Sequence, residues 1–284
     1  MPKLLSICIP TYERNDLFDL CLSSIEDNLK ELCEPEDIEV IISINDVGKE
    51  KKILIEKYIL LNTVSKVYQN KGNIGGDKNI INCYLKAVGK YIWVIGDDDF
   101  MIKGSLSYLV NKIKDNSFSS VYVNSYGYDE SIDEKPISTN KLEVLNYNSF
   151  FSKIAYRGTF ISSVIIKKEL IDFNQAEKYI SSSLYQLVLM IQASKNNNNL
   201  YMDRYHIAAK INRNYDYDYY SVFVKNYINI IKDNFDAKTY NKIIRKTILL
   251  FYSQHFFYNK LNNRSTDNLD TFQDNLCEFR LFRM

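Results

Sequence analysis

Short apolar runs alternate with stretches of helical periodicity from Leu4 to Ile95, and this alternation restricts the possible folds more than any other feature of the chain. Residues 4–9 are apolar or small and stop at Pro10. Residues 16–29 then place Leu17, Leu20, Cys21, Ser24, Ile25 and Leu29 at helical spacing. A second apolar run at Ile38–Ile44, a helix-like stretch over 49–61 and a third run at Ser65–Gln69 repeat the unit. The glycine-bearing segment KGNIGGDKN follows, then a helical stretch over 80–88 and a fourth apolar run over 91–95. The expected fold is α/β, a doubly wound, mostly parallel sheet whose ligand crevice lies beyond the carboxyl ends of the strands. Residues 10–14, 45–48, 70–79 and 96–99 then become loops along one edge, where separate polar clusters converge.

The fourth run carries the most chemistry. In YIWVIGDDDF, β-branched and aromatic residues pass through Gly96 straight into Asp97, Asp98 and Asp99. Two like unit charges 4 Å apart repel by about 1 kcal/mol in water and about 4 kcal/mol at an effective dielectric of 20. A hard divalent cation such as Mg²⁺ or Mn²⁺ relieves that repulsion, taking carboxylate oxygens while water and substrate phosphates fill its other positions. On extended backbone Asp97 and Asp99 face one way and Asp98 the other. A solvated acidic turn is the alternative these residues alone leave open.

Composition narrows the partners. Lys and Arg total 36 against 35 acidic residues, so no global field draws the chain to nucleic acid. Hydrophobic residues make up 46%, enough for a large core. The five cysteines, Cys8, Cys21, Cys33, Cys83 and Cys277, are scattered and never form CxxC, which argues against a disulfide framework and against zinc. The opening MPKLLSICIP is too short for a secretory apolar region and is broken by Pro10. No apolar run approaches the roughly 18 residues of a membrane span. The expectation is a cytoplasmic chain.

Past residue 100, strands are expected over 119–126 and 158–166 and helices over 106–113 and 184–194, with mostly helical chain beyond Tyr220. There Ile243, Ile244, Ile248, Phe251, Tyr252 and His255 share a helix face beside Lys242, Arg245 and Lys246. Residues 221–260 hold six Lys and one Arg against two Asp. Such an end either lies on an anionic membrane surface as a peripheral contact or packs on the domain with a solvated basic face. The expected division is a main domain over 1–219, with halves at about 1–110 and 111–219, and a helical extension over 220–284.

Four clusters in order, IPTYER, SINDVG, NIGGDKN and GDDD, resemble the nucleotide-sugar glycosyltransferases of family two, which have the GT-A fold. The abequosyltransferase-like members of that family are the most similar. The resemblance implies that Pro10, Thr11, Tyr12 and Arg14 contact the donor's base and phosphates. It also matches Asn73, Gly75, Gly76 and Asn79 to the donor's glycine segment, with Lys78 where an arginine is usual. Lysine keeps the charge there but loses the guanidinium fork. After the second strand the family carries two acidic residues or Asp-Asn. Here Ile44 and Asn45 align with that pair and Asp46 comes one step later, so base reading falls to Asn45 and Asp46. Asp46 offers the acceptor that a uracil imino proton needs. Asp97, Asp98 and Asp99 match the DxD-type site, which implies Asp99 and Asp97 as ligands of Mn²⁺ or Mg²⁺ and Asp97 and Asp98 beside the donor.

The implied activity is inverting transfer of a sugar from a nucleoside-diphosphate donor to a hydroxyl of a surface glycan or lipid-linked oligosaccharide. Family members deprotonate that hydroxyl with an acidic residue downstream of the metal site, in a Glu-Asp pair before a helix. The corresponding region here reads NQAEKYISSSLYQLVLM, without the pair. Glu177 is the nearest carboxylate and the expected catalytic base, with Asp172, Asp203, His206 and the stretch 129–134 as alternatives. Two other readings stand beside it. A sugar-phosphate nucleotidyltransferase requires a glycine-rich basic loop after the first strand, which IPTYER is not. A catalytically inactive nucleotide-sugar or glycan-binding domain fits the missing pair and Ile44. A Walker loop lacks its GK[ST] ending, and a dinucleotide fingerprint lacks GxGxxG.

Overall fold

The first four apolar runs become β1 (Leu5–Thr11), β2 (Ile38–Ile44), β3 (Ser65–Gln69) and β4 (Tyr91–Val94), paired in parallel in the order β3-β2-β1-β4. They are seen in a computed structural model that describes residues 3–128, 132, 136–211, 218 and 221–252. β1 and β2 are buried along nearly their whole length, which is why they read as continuous Ile, Val and Leu rather than as alternation. β3 closes the edge with Ser65, Lys66 and Gln69, polar residues that suit an unpaired strand flank.

Between these strands lie α1 (Asn15–Lys30), α2 (Glu50–Glu56), α3 (Ile59–Val64) and α4 (Gly76–Lys86). The single helix expected over 49–61 is two, and α1 supplies the reason. Tyr58 leaves helical geometry at φ −103, ψ 99 and donates its hydroxyl to the Asp19 carbonyl at 3.0 Å. Glu26, a buried carboxylate on α1, then accepts the backbone N–H groups of Leu60 at 3.2 Å and Leu61 at 2.6 Å, capping α3 from outside.

The rest of the sheet differs from the mostly parallel expectation. β5 (Asp99–Met101), β6 (Ser120–Tyr128), β7 (Leu142–Leu145), β8 (Val164–Lys167) and β9 (Asn199–Lys210) extend the order to β3-β2-β1-β4-β8-β6-β9-β5, with β7 also on β9. β8 runs antiparallel to β4 and β6, and β5 and β7 run antiparallel to β9; β6 and β9 are parallel. The sheet is therefore mixed, and the doubly wound parallel pattern belongs to its first half. The strand expected over 158–166 is confined to β8, since tight helical turns occupy Ala155–Thr159 and Ile161–Ser163. Helices α5 (Ser105–Ile113), α6 (Tyr147–Ile154), α7 (Phe173–Ala176) and α8 (Tyr185–Ser194) complete this part. The main core gathers Leu5, Ile7, Ile9, Phe18, Ile25, Val40, Ile42 and Trp93 between α1 and the sheet.

Two compact units emerge, Met1–Phe150 with Arg157–Asn214, and Phe151–Tyr156 with Tyr215–Met284. In the second, α9 (Tyr227–Asn234) and α10 (Ala237–Thr247) follow a wide turn at Ser221–Asn226, and another wide turn follows at Ile248–Tyr252. The Asp236 side chain caps α10 by accepting the Thr239 N–H at 3.0 Å. Ile243 and Ile244 are buried while Lys242 and Arg245 are exposed, as the helical spacing requires. Lys246 departs from the expected basic face, because its ammonium donates to the Lys153 carbonyl of the same unit. His255 and Cys277 lie outside the described residues. Cys8, Cys21 and Cys83 are buried and Cys33 is exposed, all four unpaired with one another. Among the described residues no helix is long and apolar enough to cross a membrane.

Candidate active site

The loops that follow β1 and β4 close on each other. Thr11, the last residue of β1, donates its hydroxyl to Asp97 Oδ2 at 2.7 Å, and the Tyr12 N–H reaches the same oxygen at 3.2 Å. Pro10 lies within β1, in register with Ser43. Arg14 Nη1 donates to Asp98 Oδ2 at 2.6 Å and lies 3.7 Å from Asp97 Oδ1. Its placement depends on an unusual backbone: Glu13 and Arg14 are both left-handed, at φ 55 and φ 56, just where α1 begins. Non-glycine residues in that region cost about 1–3 kcal/mol and cluster at functional sites. Asp97 is buried, and its carboxyl is pushed up to about 6 by burial and by the Asp98 charge, against the pull of Thr11, Arg14 and Tyr12.

The three aspartates do not alternate. The Asp99 N–H bonds back to the Gly96 carbonyl at 3.1 Å, so residues 96–99 form a tight turn rather than extended chain. Asp97 and Asp98 consequently share Arg14, while Asp99 is held by Ser162, whose hydroxyl donates to Asp99 Oδ2 at 2.5 Å. Ser162 also accepts the Gly96 N–H at 2.8 Å, and its carbonyl accepts Trp93 Nε1 at 2.8 Å. A Cβ on Gly96 would lie 2.8 Å from Asp99 Oδ2 and 3.0 Å from Asp98 Oδ1, so glycine is required for this turn to bring the carboxylates so close. Beneath it, the Cys21 thiol on α1 donates to the Gly96 carbonyl at 3.6 Å; burial pushes its pKa up, and the three aspartates push it further.

Among the described residues no group of three or more His, Cys, Asp or Glu side chains encloses a metal position. The donor set nevertheless fits Mg²⁺ or Mn²⁺ held by one or two carboxylates, with phosphate oxygens and water completing the shell. Its oxygens are hard donors, and the Asp97 carboxyl is raised first by burial and then by the neighbouring Asp98 charge, a like-charge pair that a cation would relieve.

An amide network organises the loops after β2 and β3. Asn45 Oδ1 accepts the Ile74 N–H at 2.9 Å and Asn70 Nδ2 at 3.2 Å, and Asn45 Nδ2 donates to Asn73 Oδ1 at 2.9 Å. Asn73 Oδ1 also accepts the Gly75 N–H at 2.9 Å, where φ of 88 makes glycine necessary. Asn79 Oδ1 accepts Ser43 Oγ at 2.6 Å and Asn70 Nδ2 at 3.0 Å. Asn45, Asn73 and Asn79 thus spend their amides on each other's loops and hold Gly75, Gly76 and Lys78 at the start of α4, where Gly76 and Lys78 are exposed. Asp46 Oδ1 accepts the Gly48 N–H at 2.9 Å, and its other oxygen lies 3.5 Å from Lys51 Nζ. Lys51 is buried on α2 and donates to the Glu13 carbonyl at 2.5 Å and Asn15 Oδ1 at 2.9 Å, tying the first loop to the second. Sequence reading missed Lys51 and Ser162. Lys51 carried one signal, a lone lysine on the otherwise apolar face of a short helix; Ser162 carried none.

Glu177 is exposed immediately after α7. Asp172 caps α7 through the N–H groups of Asn174 at 3.0 Å and Gln175 at 3.2 Å. Asp203 accepts the Tyr201 hydroxyl at 2.9 Å and the Thr139 N–H at 3.1 Å. His206 is buried on β9 with its ring 5.5 Å from that of Tyr108. Of the stretch 129–134 only Ile132 is among the described residues.

The profile of glycosyl transferase family 2 matches residues 6–169, which is more than half of the chain and includes all four converging loops. The chain belongs to glycosyl transferase family 2. Among named members of the glycosyltransferases, Abequosyltransferase RfbV of Salmonella typhimurium is 29% identical over 207 residues, 66% of this chain and 60% of that protein. The GalNAc(5)-diNAcBac-PP-undecaprenol beta-1,3-glucosyltransferase of Campylobacter jejuni is 27% identical over 177 residues, 61% of this chain and 54% of that protein. The chain therefore spans between about half and three-fifths of these relatives. Among solved structures, S. aureus TarS 1-349 in complex with UDP-GlcNAc superposes with a TM-score of 0.66 at 17% identity, covering 89% of this chain and 75% of that one. The mannosyltransferase PcManGT from Pyrobaculum calidifontis, in complex with GDP-Man and Mn²⁺, gives 0.57 at 10% identity over 100% of this chain and 84% of that one. At such identities the likeness establishes the fold, which is the GT-A type of this family.

Proposed function

We propose that this family 2 chain is an inverting glycosyltransferase that moves a sugar from a nucleoside-diphosphate donor to a hydroxyl of a surface glycan or lipid-linked oligosaccharide, with Mn²⁺ or Mg²⁺. One observation carries the reading: three consecutive carboxylates are buried in one turn at the end of a parallel strand, where the donor-side loops converge. Carboxylate oxygens so grouped suit a hard divalent cation, and a cation there would in turn attract a polyanion. The two relatives, each a sugar transferase, and the structural neighbours, one in complex with UDP-GlcNAc and one with GDP-Man and Mn²⁺, support it.

In this reading Asp97 and Asp99 hold the metal, and Pro10, Thr11, Tyr12, Asn45 and Asp46 form the base-binding side. Arg14 and Lys78 face the phosphates as point charges, and Asn73, Gly75, Gly76 and Asn79 keep the backbone close to the donor. When bound, the metal supplies Lewis-acid charge at the leaving diphosphate. Glu177 removes the acceptor proton as the attacking oxygen approaches the anomeric carbon from the opposite face. Residues 1–110 serve the donor, 111–219 the acceptor, and the exposed Lys242 and Arg245 of the helical extension offer a peripheral contact to anionic lipid on the cytoplasmic face. The test is titration calorimetry of UDP-, GDP-, CDP- and dTDP-sugars with Mn²⁺ and with EDTA, followed by transfer assays. Binding that ignores EDTA would sink the metal assignment. The absence of the Glu-Asp pair before α8 favours one second reading, a donor-binding domain without catalysis; it predicts metal-dependent binding with neither transfer nor hydrolysis.

A further inference from the structure

Ser181 and Ser183 adopt left-handed backbone at φ 77 and φ 59 in a segment that contains no glycine. Both are exposed, and neither carries an apolar side chain that could pin this unfavourable geometry. What holds it is a carboxylate from far away in the chain. Asp77 Oδ2 accepts the Ser183 N–H at 3.0 Å across a separation of 106 residues, and the Ser181 N–H also faces the carboxylate. Burial raises the Asp77 pKa while these two N–H groups lower it, so they favour the charged form at the point of contact.

The two ends of this bond matter. Asp77 lies in the first turn of α4, directly between Gly76 and Lys78 of the donor segment. Ser181 and Ser183 lie between Glu177 and the start of α8, in the stretch where the acceptor-side carboxylate is expected. Two of the alternative base candidates are engaged elsewhere: Asp172 caps α7, and Asp203 holds Thr139 and Tyr201. We infer that Asp77 is a positioning residue that fastens the acceptor-side segment 181–183 to the donor loop, holding sugar donor and acceptor hydroxyl in one register. The inference rests on the transferase reading above, and misplacing reacting groups by about 1 Å costs on the order of a hundredfold in rate.

The experiment uses the full chain and two variants. Asp77→Asn keeps an oxygen that accepts the Ser183 N–H; Asp77→Ala does not. Hydrogen exchange of peptides covering residues 180–184, measured without any ligand, is expected to show lost protection in Asp77→Ala and near-native protection in Asp77→Asn. In transfer assays kcat is expected to fall about 10- to 100-fold for alanine and to recover within a few fold for asparagine, with donor Kd nearly constant. Unchanged protection in Asp77→Ala overturns the proposal, whether or not the wild type transfers sugar; an inactive wild type counts against the transferase reading instead. If Asp77→Asn is as slow as alanine while its loop stays protected, the carboxylate acts by its charge or as a base and the positioning role is wrong. Should alanine prevent folding, the asparagine variant decides by the same two readouts.

Discussion

At the scale of single residues, Ser162 and Gly96 control the acidic turn without contributing a charge. Ser162→Ala removes a charge-assisted hydrogen bond from Asp99, a contact worth about 1.5–3 kcal/mol. Mn²⁺ affinity in the presence of nucleoside diphosphate should fall about tenfold or more, read by calorimetry, with Ser162→Thr closer to native. Gly96→Ala places a methyl group against both Asp98 and Asp99 and should weaken metal binding further while leaving the rest of the fold intact. Asp97 leads to a pH prediction for the metal-free protein. Its carboxyl titrates at about 6 when folded against 3.8 in the reference state, so the folded protein binds that proton more tightly. The resulting stabilisation is full below about pH 4 and is lost as pH rises through about 6, a change of up to about 3 kcal/mol. Urea denaturation in EDTA between pH 4.5 and 7.5 should show this slope, and Asp97→Asn should flatten it.

Elements are shaped by polar residues on faces that periodicity marks as apolar. On α1, Ser24 Oγ accepts the Met101 N–H at 3.0 Å and Asn28 Oδ1 accepts the Leu106 N–H at 3.1 Å, so this helix fixes β5 and the start of α5 as well as packing on the sheet. Glu26 on the same helix caps α3 through two N–H groups. Glu26→Ala leaves those buried donors unpaired and should destabilise the protein by about 2–3 kcal/mol in urea, with exchange fastest at residues 59–64. On α10 the exposed charges are Lys238, Lys242 and Arg245, whereas Lys246 is committed to Lys153. If the extension meets lipid, charge reversal of Lys242 and Arg245 should abolish salt-sensitive binding to phosphatidylserine vesicles, and Lys246→Glu should instead lower stability.

For the whole molecule, donor binding and folding are linked through the metal. Mn²⁺ with the matching nucleoside diphosphate at about 100 times Kd should stabilise the chain by about 2.7 kcal/mol, and EDTA should remove the gain. A thermal shift that persists in EDTA contradicts the proposed site. The stabilisation should also be weaker at pH 5 than at pH 7.5, because protonated Asp97 is a poor cation ligand.

The first half of the fold was legible because its information is local. Strands β1 to β4 and the helices between them, apart from the break between α2 and α3, follow from runs and spacings within about ten residues, and strands buried on both faces announce themselves as unbroken aliphatic stretches. The convergence of four loops at the carboxyl edge follows from that order alone. The mixed second half was legible only in part: β6, α5 and α8 lie where strands and helices were expected, but β5, β7, β9 and the antiparallel pairing were not. β9 begins inside an asparagine-rich stretch, and β5 is three residues long and opens with an aspartate. Both are strands because neighbouring strands satisfy their backbone groups, which composition does not reveal. The same limit applies within the site. Asp97, Asp98 and Asp99 stand together in sequence, but Ser162 reaches Asp99 across 63 residues, Lys51 reaches Asn15 across 36 and Asp77 reaches Ser183 across 106. Local patterning specifies which face of an element is buried; only the packed tertiary structure decides which distant polar group meets it there, since each buried donor must find whatever acceptor the fold brings within reach.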